Sequence, residues 1–326
     1  MITLLNKKKQ PTPSYVLDTY WKFAVERQEV FFNRINRNKI LTKDPILLKH
    51  KFTNAYRASD RVSQYLIKKV IYKGDSDAHE TLFRILLFKI FNKIETWELL
   101  EHELGQITWK DYSFAAYNKI LTQALKAKEP IYSGAYIMAS GKSAFGFTRK
   151  HENHLKLLEQ MISSKLANRI QEASSMEEIY ITLLSYPTIG SFLAYQYAID
   201  INYSELTNFS EMDFVMPGPG ARDGIRKCFS DPGDYSEADI IRFVTENQNN
   251  EFLRLNLQFK NLWGRPLQLI DCQNLFCETD KYARVAHPEI AGISNRLRIK
   301  QIYRPQDSAI NYWYPPKWQI HNTAIQ

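Results

Sequence analysis

Cysteine is scarce in this sequence: Cys228, Cys272 and Cys277 are the three present in 326 residues. Three thiols complete neither a disulfide framework nor a four-thiolate metal or iron–sulfur site, so a reducing cytoplasm is expected and no metal or cofactor is implied. Glycine is also sparse, at 12 residues, and no tract of proline, glycine and serine or of a single charge marks a linker. No internal repeat is present either, which leaves a single domain over residues 1–326 as the expectation. The phosphate-binding pattern Gly-x-x-x-x-Gly-Lys-Ser/Thr is missing, which argues against phosphorylation by that route. Long uncharged runs are confined to Ile179–Ile199, and Pro187, Gly190 and several hydroxyl side chains interrupt it. That pattern reads as a buried helical hairpin and not as a membrane span. Met1-Ile-Thr-Leu-Leu5 turns polar at Asn6 before an apolar stretch reaches signal-peptide length, so secretion is not expected.

What is present is an apolar content of 44%, with 13% aromatic residues, enough to bury a sizeable core. Lysine and arginine exceed the acidic residues by eight, which favours anionic partners, nucleic acid first. Helix formers dominate, and the fold expected is all-α with minor strand content. Apolar spacing predicts helices over Tyr15 to Asn38 and Pro45 to Tyr72, the second placing Arg57, Asp60 and Arg61 within pairing distance on one face. Thr81 to Phe91 is apolar on nearly every side and reads as a central helix; another begins near Trp97. Further helices are expected over Asp111 to Lys128, His151 to Ala173, Ala221 to Phe229, Ser236 to Leu262 and Leu269 to Arg284. Ser175-Met-Glu-Glu178 reads as a capping box. Between them, Ile131 to Ile137 is either a short strand or a pocket-lining loop, and Gly141 to Gly146 is expected to be mobile. His151 and His154 fit a solvated helix face better than a metal site, since no third ligand is evident. Glu278 and Lys281 are expected to pair. The basic, aromatic tail over 299–326 is expected to lie along the surface.

The stretch most informative about chemistry is Leu184-Ser-Tyr-Pro-Thr-Ile-Gly-Ser-Phe-Leu-Ala194, followed by Phe209-Ser-Glu-Met-Asp-Phe214. A Pro-x-x-Gly turn between two short helices leaves backbone N–H groups free to hold a DNA phosphate, with Thr188 and Gly190 in the turn. This pattern resembles the helix-hairpin-helix DNA glycosylases, and Asp213 falls where their catalytic aspartate lies. Phe192 stands where bifunctional members carry a lysine nucleophile, so the resemblance implies a monofunctional enzyme.

Four ordered motifs carry a closer resemblance: Phe52-x-Asn-x-Tyr-Arg-x-x-Asp-Arg61, Phe83-Arg-x-Leu-Leu-Phe-Lys-x-Phe-Asn92 with Thr96-Trp97, Met216-Pro-Gly-Pro-Gly-Ala221, and Leu275-Phe-Cys-Glu-x-x-Lys-Tyr282. Over residues of about 15 to 285 the chain resembles the α-glutamyl/putrescinyl thymine pyrophosphorylase family and the helical domain linked to 5-hydroxymethyldeoxyuridine DNA kinases. The resemblance implies a glycosylase-like helical fold and double-stranded DNA carrying hypermodified bases as the partner. Some members are similar to anti-phage glycosylases that excise glucosylated hydroxymethylcytosine.

The function expected from this resemblance is excision of a hypermodified pyrimidine from phage DNA in anti-phage defence, leaving abasic sites. Asp213 would stabilise the positive charge that builds on the sugar or activate water. Extrusion of the base needs stacking partners and a cationic clamp. Trp97, Tyr132 and Tyr136 are the candidate aromatics, and Arg57, Arg61, Arg222, Arg226 and Lys227 the candidate phosphate contacts. Two alternatives stay open. A transferase that attaches an amino acid or polyamine to a pyrophosphorylated 5-hydroxymethyl pyrimidine would use Gly218, Gly220 and Arg222 for the pyrophosphate. A non-catalytic module would only recognise modified DNA. As bland counterparts, Asp213 caps a helix, Pro217 to Gly220 forms a tight turn, and Arg57, Asp60 and Arg61 form a buried ion-pair network.

Overall fold

A computed structural model describes residues 8–305 and 311–320, and most of them are helical, with one short two-stranded sheet. The described residues fall into two compact units, one drawn from 8–60 and 214–312, the other from 61–213 and 313–319. In chain order the first unit begins with β1 (Thr12–Pro13), α1 (Val16–Ile35), α2 (Pro45–Lys49) and a 3-10 turn at Arg57–Ser59. The second unit then contributes α3 (Arg61–Tyr65), a π-helical stretch Leu66–Ile71, α4 (Ala78–Phe91), α5 (Ile94–Leu104) and α6 (Phe114–Lys126). It continues through α7 (Lys142–Phe145), α8 (Lys150–Ser163), α9 (Leu166–Glu172), α10 (Met176–Leu184) and α11 (Ser191–Asn202). The chain returns to the first unit with α12 (Pro219–Cys228), β2 (Phe229–Asp231), α13 (Glu237–Glu246), α14 (Gln248–Arg254) and α15 (Leu269–Ala286). A 3-10 turn, Pro316–Trp318, lies in the last segment of the second unit.

In the first unit, α1 buries Tyr20, Trp21, Phe23, Ala24 and Phe31 at helical spacing, and Tyr20 packs on Phe276 of α15 with ring centroids 4.6 Å apart. Helices α12 and α15 run very close together because α12 presents glycines at the contact. A Cβ on Gly224 would lie 2.0 Å from the Phe276 carbonyl oxygen, and one on Gly220 would lie 2.3 Å from Cys277 Sγ. β1 pairs with β2 in antiparallel register, Thr12 opposite Asp231.

The long helix expected over Pro45 to Tyr72 does not form. Asp44 caps α2 by accepting from the N–H groups of Ile46 and Leu47, but the helix ends at Lys49. The following backbone finds partners elsewhere: Lys51 N–H donates to the Gln301 carbonyl and Tyr303 N–H to that of Lys49, so extended chain replaces the helical ladder. The single helices expected over Ser236 to Leu262 and His151 to Ala173 are also divided. α13 ends at Glu246 and α14 at Arg254, and the chain is non-helical from Leu255 to Leu262. Lys165, at φ +57°, separates α8 from α9.

In the second unit, α4 is the buried centre, with Leu82, Phe83, Ile85, Leu86 and Leu87 fully enclosed. Around it the uncharged run folds as the expected hairpin, α10 packing on α11, and among the described residues no helix is long and apolar enough to cross a membrane. Thr188 takes the left-handed conformation in its turn, at φ +68°, a position where glycine is the residue expected on steric grounds. Ser175 caps α10 by accepting from Glu178 N–H, while the Glu178 carboxylate turns back to Ser174. Ile131 to Ile137 is a loop without a strand, and the segment expected to be mobile holds the short helix α7 between the left-handed residues Gly141 and Gly146.

Candidate active site

In the first unit the motif Phe52 to Asp60 crosses the faces of α1 and α15. Three side chains clamp Thr53: Arg27 Nε donates to its carbonyl at 2.8 Å, Asn274 Nδ2 to its Oγ1 at 3.0 Å, and its own N–H donates to Glu278 Oε2 at 2.9 Å. Asp271 belongs to the capping box of α15 and also accepts from Arg57 N–H at 2.8 Å. Asp271, Asn274, Glu278 and Lys281 thus lie along one face of α15 at helical spacing and hold the crossing segment in place. Glu278 and Lys281 pair at 2.6 Å, as their spacing predicts, and the ammonium also lies over the Phe52 ring.

This clamp presents Asp60. Its Oδ1 accepts from Asn54 N–H at 2.7 Å, and Asn54 Nδ2 donates to the Ser59 carbonyl at 2.7 Å, closing the turn. Burial pushes the Asp60 carboxyl up to about 7, with Glu278 adding to the rise, while the Asn54 N–H, Arg27 and Arg57 work against it. The residue is nonetheless only half-buried, so solvent can deliver or remove the proton. Burial also lowers the Arg27 guanidinium from its usual value, and its buried Nη1 has no hydrogen-bond partner among the described residues. A carboxyl that trades its proton near neutrality, beside a cationic donor with spare capacity, can do acid–base work on an anionic substrate. In the same unit, a groove of about 430 Å³ is lined by Lys22, Glu26, Asp44, Tyr282 and His287 among others, but it does not include Asp60.

The second unit holds a different arrangement around the loop 131–147. Lys89 and Asp200 form an ion pair at 2.9 Å with side chains only 3% and 1% exposed. The ammonium also donates to Asn92 Oδ1 and lies 4.2 Å from the centroid of the Tyr136 ring. Tyr136 stacks flat on Phe192, with centroids 5.7 Å apart and planes 2° off parallel. Tyr132 donates to His154 Nδ1 at 2.9 Å, and His154 Nε2 lies 2.7 Å from the Ala139 carbonyl. Because a carbonyl only accepts, the proton sits on Nε2, and burial lowers this imidazole to about 4.

The residues expected to form the site are spread through both units. Asp213 is exposed in a turn, its N–H donating to the Ser210 carbonyl; no helix starts there, since α12 begins at Pro219. Arg57 is buried and Arg61 is half-exposed, 3.5 Å from Glu95, so the two do not share a helix face with Asp60. Trp97 is core, packed on Phe88. Gly190 is the N-cap of α11, and the Thr188 hydroxyl is buried without a hydrogen-bond partner among the described residues. Gly218 is the N-cap of α12 and Gly220 serves the close contact with α15. Arg222 pairs with Glu237 at 3.0 Å, and Arg226 is exposed. Lys227 is corrected: it is fully buried, 3.0 Å from Asp280, and is turned away from any solvent phosphate. His151 and His154 are buried too, not solvated, because Asn118, Tyr132 and Ala139 supply their partners. No cluster of metal-ligating side chains occurs among the described residues. Sequence reasoning gave no site role to Arg27, Asn274, Lys89 or Asp200, although Lys89 stands in one of the motifs that carry the family resemblance. For the last two a signal existed, a lysine inside an otherwise apolar run and an aspartate at the end of an uncharged one.

The family described as 5-hmdU DNA kinase, helical domain, matches residues 14–292. A 5-hmdU DNA kinase of Bacillus phage SP10 is 28% identical over 295 residues, covering 85% of this chain and 46% of the relative. The chain thus spans less than half the length of that relative. No solved structure matches it. The expectation of a base-excising hydrolase is corrected here, because the relative is named for a kinase, a transferase, and not for a glycosylase. That relative comes from a phage itself, and the expected anti-phage role is withdrawn with the glycosylase.

Proposed function

Because this chain belongs to the family of the 5-hmdU DNA kinase helical domain, we propose that it acts on DNA carrying a 5-hydroxymethyl-type pyrimidine and promotes group transfer at the 5-substituent of the base. In the proposed step a nucleophile bonds to the 5-methylene carbon while the bond from that carbon to a phosphate-type leaving group breaks. The leaving group departs with the bonding electrons, and the proton of the nucleophile passes to Asp60. The observation that carries this reading is the half-buried Asp60 carboxyl, raised to about 7 beside Arg27 and Arg57 within the matched region. A base of that strength is poised for neutral solution, and the Arg27 guanidinium, whose Nη1 has no partner among the described residues, suits an anionic leaving group.

The test is mass spectrometry of duplexes containing 5-hydroxymethyluracil, its phosphate ester or its pyrophosphate ester, incubated with amine donors. A mass gain on the base is expected, with the rate rising with pH along a limb centred near 7. Asp60→Asn should lose about 100-fold or more in turnover and keep its DNA affinity. Full activity in that variant overturns the role of Asp60, and a matching loss in Asp213→Asn would move the role there. A module that only recognises modified DNA is the alternative that the same experiment tests. It is the outcome if selective binding persists with no change in base mass.

A further inference from the structure

The loop 131–147 carries a feature that the proton chemistry at Asp60 does not use. Ile137 is 72% exposed, yet the residues on both sides of it are tied down. Tyr136, left-handed at φ +56°, is held between the Lys89 ammonium and the Phe192 ring. Met138 is 3% exposed, and its sulfur accepts from Tyr197 Oη at 3.2 Å. Beyond it, His154 holds the Ala139 carbonyl, and Asn153 Nδ2 donates to the carbonyls of Ser140 and Phe147 at 3.0 and 2.9 Å. A β-branched side chain is therefore fixed outward on a rigid support.

Along the sequence, the charges that flank it within the loop have one sign. No carboxylate occurs between Glu129 and Glu152, whereas Lys142, Arg149 and Lys150 do, interleaved with Tyr132, Tyr136, Phe145 and Phe147. Single exposed apolar residues are ordinary on protein surfaces. Leu253, at 79%, is one: it stands on α14 between Glu251 and Arg254, in a paired acidic and basic setting. Ile137 differs in its anchorage and in the basic and aromatic sequence that flanks it, a composition suited to a polyanion lined with stacked rings.

We infer that Ile137 is a wedge that enters the base stack of duplex DNA and occupies the gap left when the modified base is drawn out, with the buried Lys89–Asp200 pair positioning it through Tyr136. A rigid apolar side chain can replace lost stacking contacts, whereas a mobile one loses that gain to ordering. The inference rests on the DNA reading above and concerns only the opening of the base stack.

Two duplexes test it, each with one 5-hydroxymethyluracil flanked by 2-aminopurine, one fully paired and one with the target inside a mismatch bubble where unstacking is already complete. The wild-type chain is expected to bind both and to raise 2-aminopurine fluorescence in the paired duplex. Ile137→Ala should bind the paired duplex about tenfold more weakly, raise no fluorescence there, and bind the bubble as the wild type does. Ile137→Leu should restore the paired duplex. Equal affinity of Ile137→Ala and wild type for the paired duplex, or an equal loss on both duplexes, overturns the wedge while leaving the DNA reading intact. Failure of the wild type to bind either duplex overturns both.

Discussion

Asp60 shows how one side chain ties stability to chemistry. Its carboxyl is protonated more readily in the folded chain than in the unfolded one, about 7 against 3.8. The folded state therefore holds the extra proton between those values, and the stability this group contributes is full below pH 4 and is lost as pH rises through about 7. Asp60→Asn removes that dependence while keeping the Oδ1 acceptor for Asn54 N–H. The variant should gain roughly 2 kcal/mol over the wild type between pH 4 and 8, a figure reduced from the full shift because the carboxyl keeps contact with water. Urea unfolding of both proteins at the two pH values measures it, and a constant difference would show that the carboxyl titrates as it does in water. Asp60 was legible in the sequence only as a member of a charged trio. Its role was hidden because helical spacing implied pairing with Arg57 and Arg61, whereas the chain breaks its helix at Lys49 and brings α1 and α15 to the residue instead.

At the scale of elements, the contact between α12 and α15 is set by what α12 lacks. Gly224→Ala places a methyl group where the Phe276 carbonyl stands, so the helices must separate, and a loss of about 3 kcal/mol in unfolding free energy is expected. Gly220→Ala meets chiefly the Cys277 sulfur, and adding Cys277→Ala should recover a good part of its loss. Chemical denaturation of the single and double variants separates the two cases; an unchanged midpoint for Gly224→Ala would contradict the close approach. The existence of α1, α6, α12 and α15 was readable from apolar periodicity, and that of α4, α10 and α11 from runs that are apolar or uncharged on most sides. What could not be read was where polar partners interrupt that periodicity. The chain beyond Lys49 exchanges a helical ladder for the Gln301 carbonyl, and the partner lies far along the sequence. The same blindness applied to His151 and His154, whose burial depends on acceptors and donors from the loop and from α6. Pro217 to Gly220, read as a tight turn, instead runs from extended chain into the first turn of α12 with Gly218 as its N-cap, and Gly220 has a packing reason that only the facing helix reveals.

For the molecule as a whole, the segment 313–319 belongs to the second unit although about a hundred residues of the first precede it. Lys317 fixes it there, donating to the carbonyls of Ser204 at 2.6 Å and Thr207 at 2.5 Å just past the end of α11, while Trp318 meets Tyr203 edge-on and Trp313 meets Tyr72. Of the tail expected to lie along the surface, residues 300–302 are exposed as expected, whereas Tyr312 and Tyr314 are buried; residues 306–310 and 321–326 lie outside the described residues. Lys317→Met should leave two carbonyls without their charged donor and cost about 2 kcal/mol. Amide exchange around Tyr203 to Thr207 should quicken in step, and unchanged exchange would mean that the rings alone secure the segment.

This discontinuity also bears on how the protein is made. A nascent chain that has emerged from the ribosome as far as Asp213 has all of the second unit except the piece that seals the end of α11, and must carry the exposed Tyr203 and Tyr72 rings until translation reaches Trp318. The last segment of the second unit can therefore dock only after residues 214–312 of the first have been synthesised.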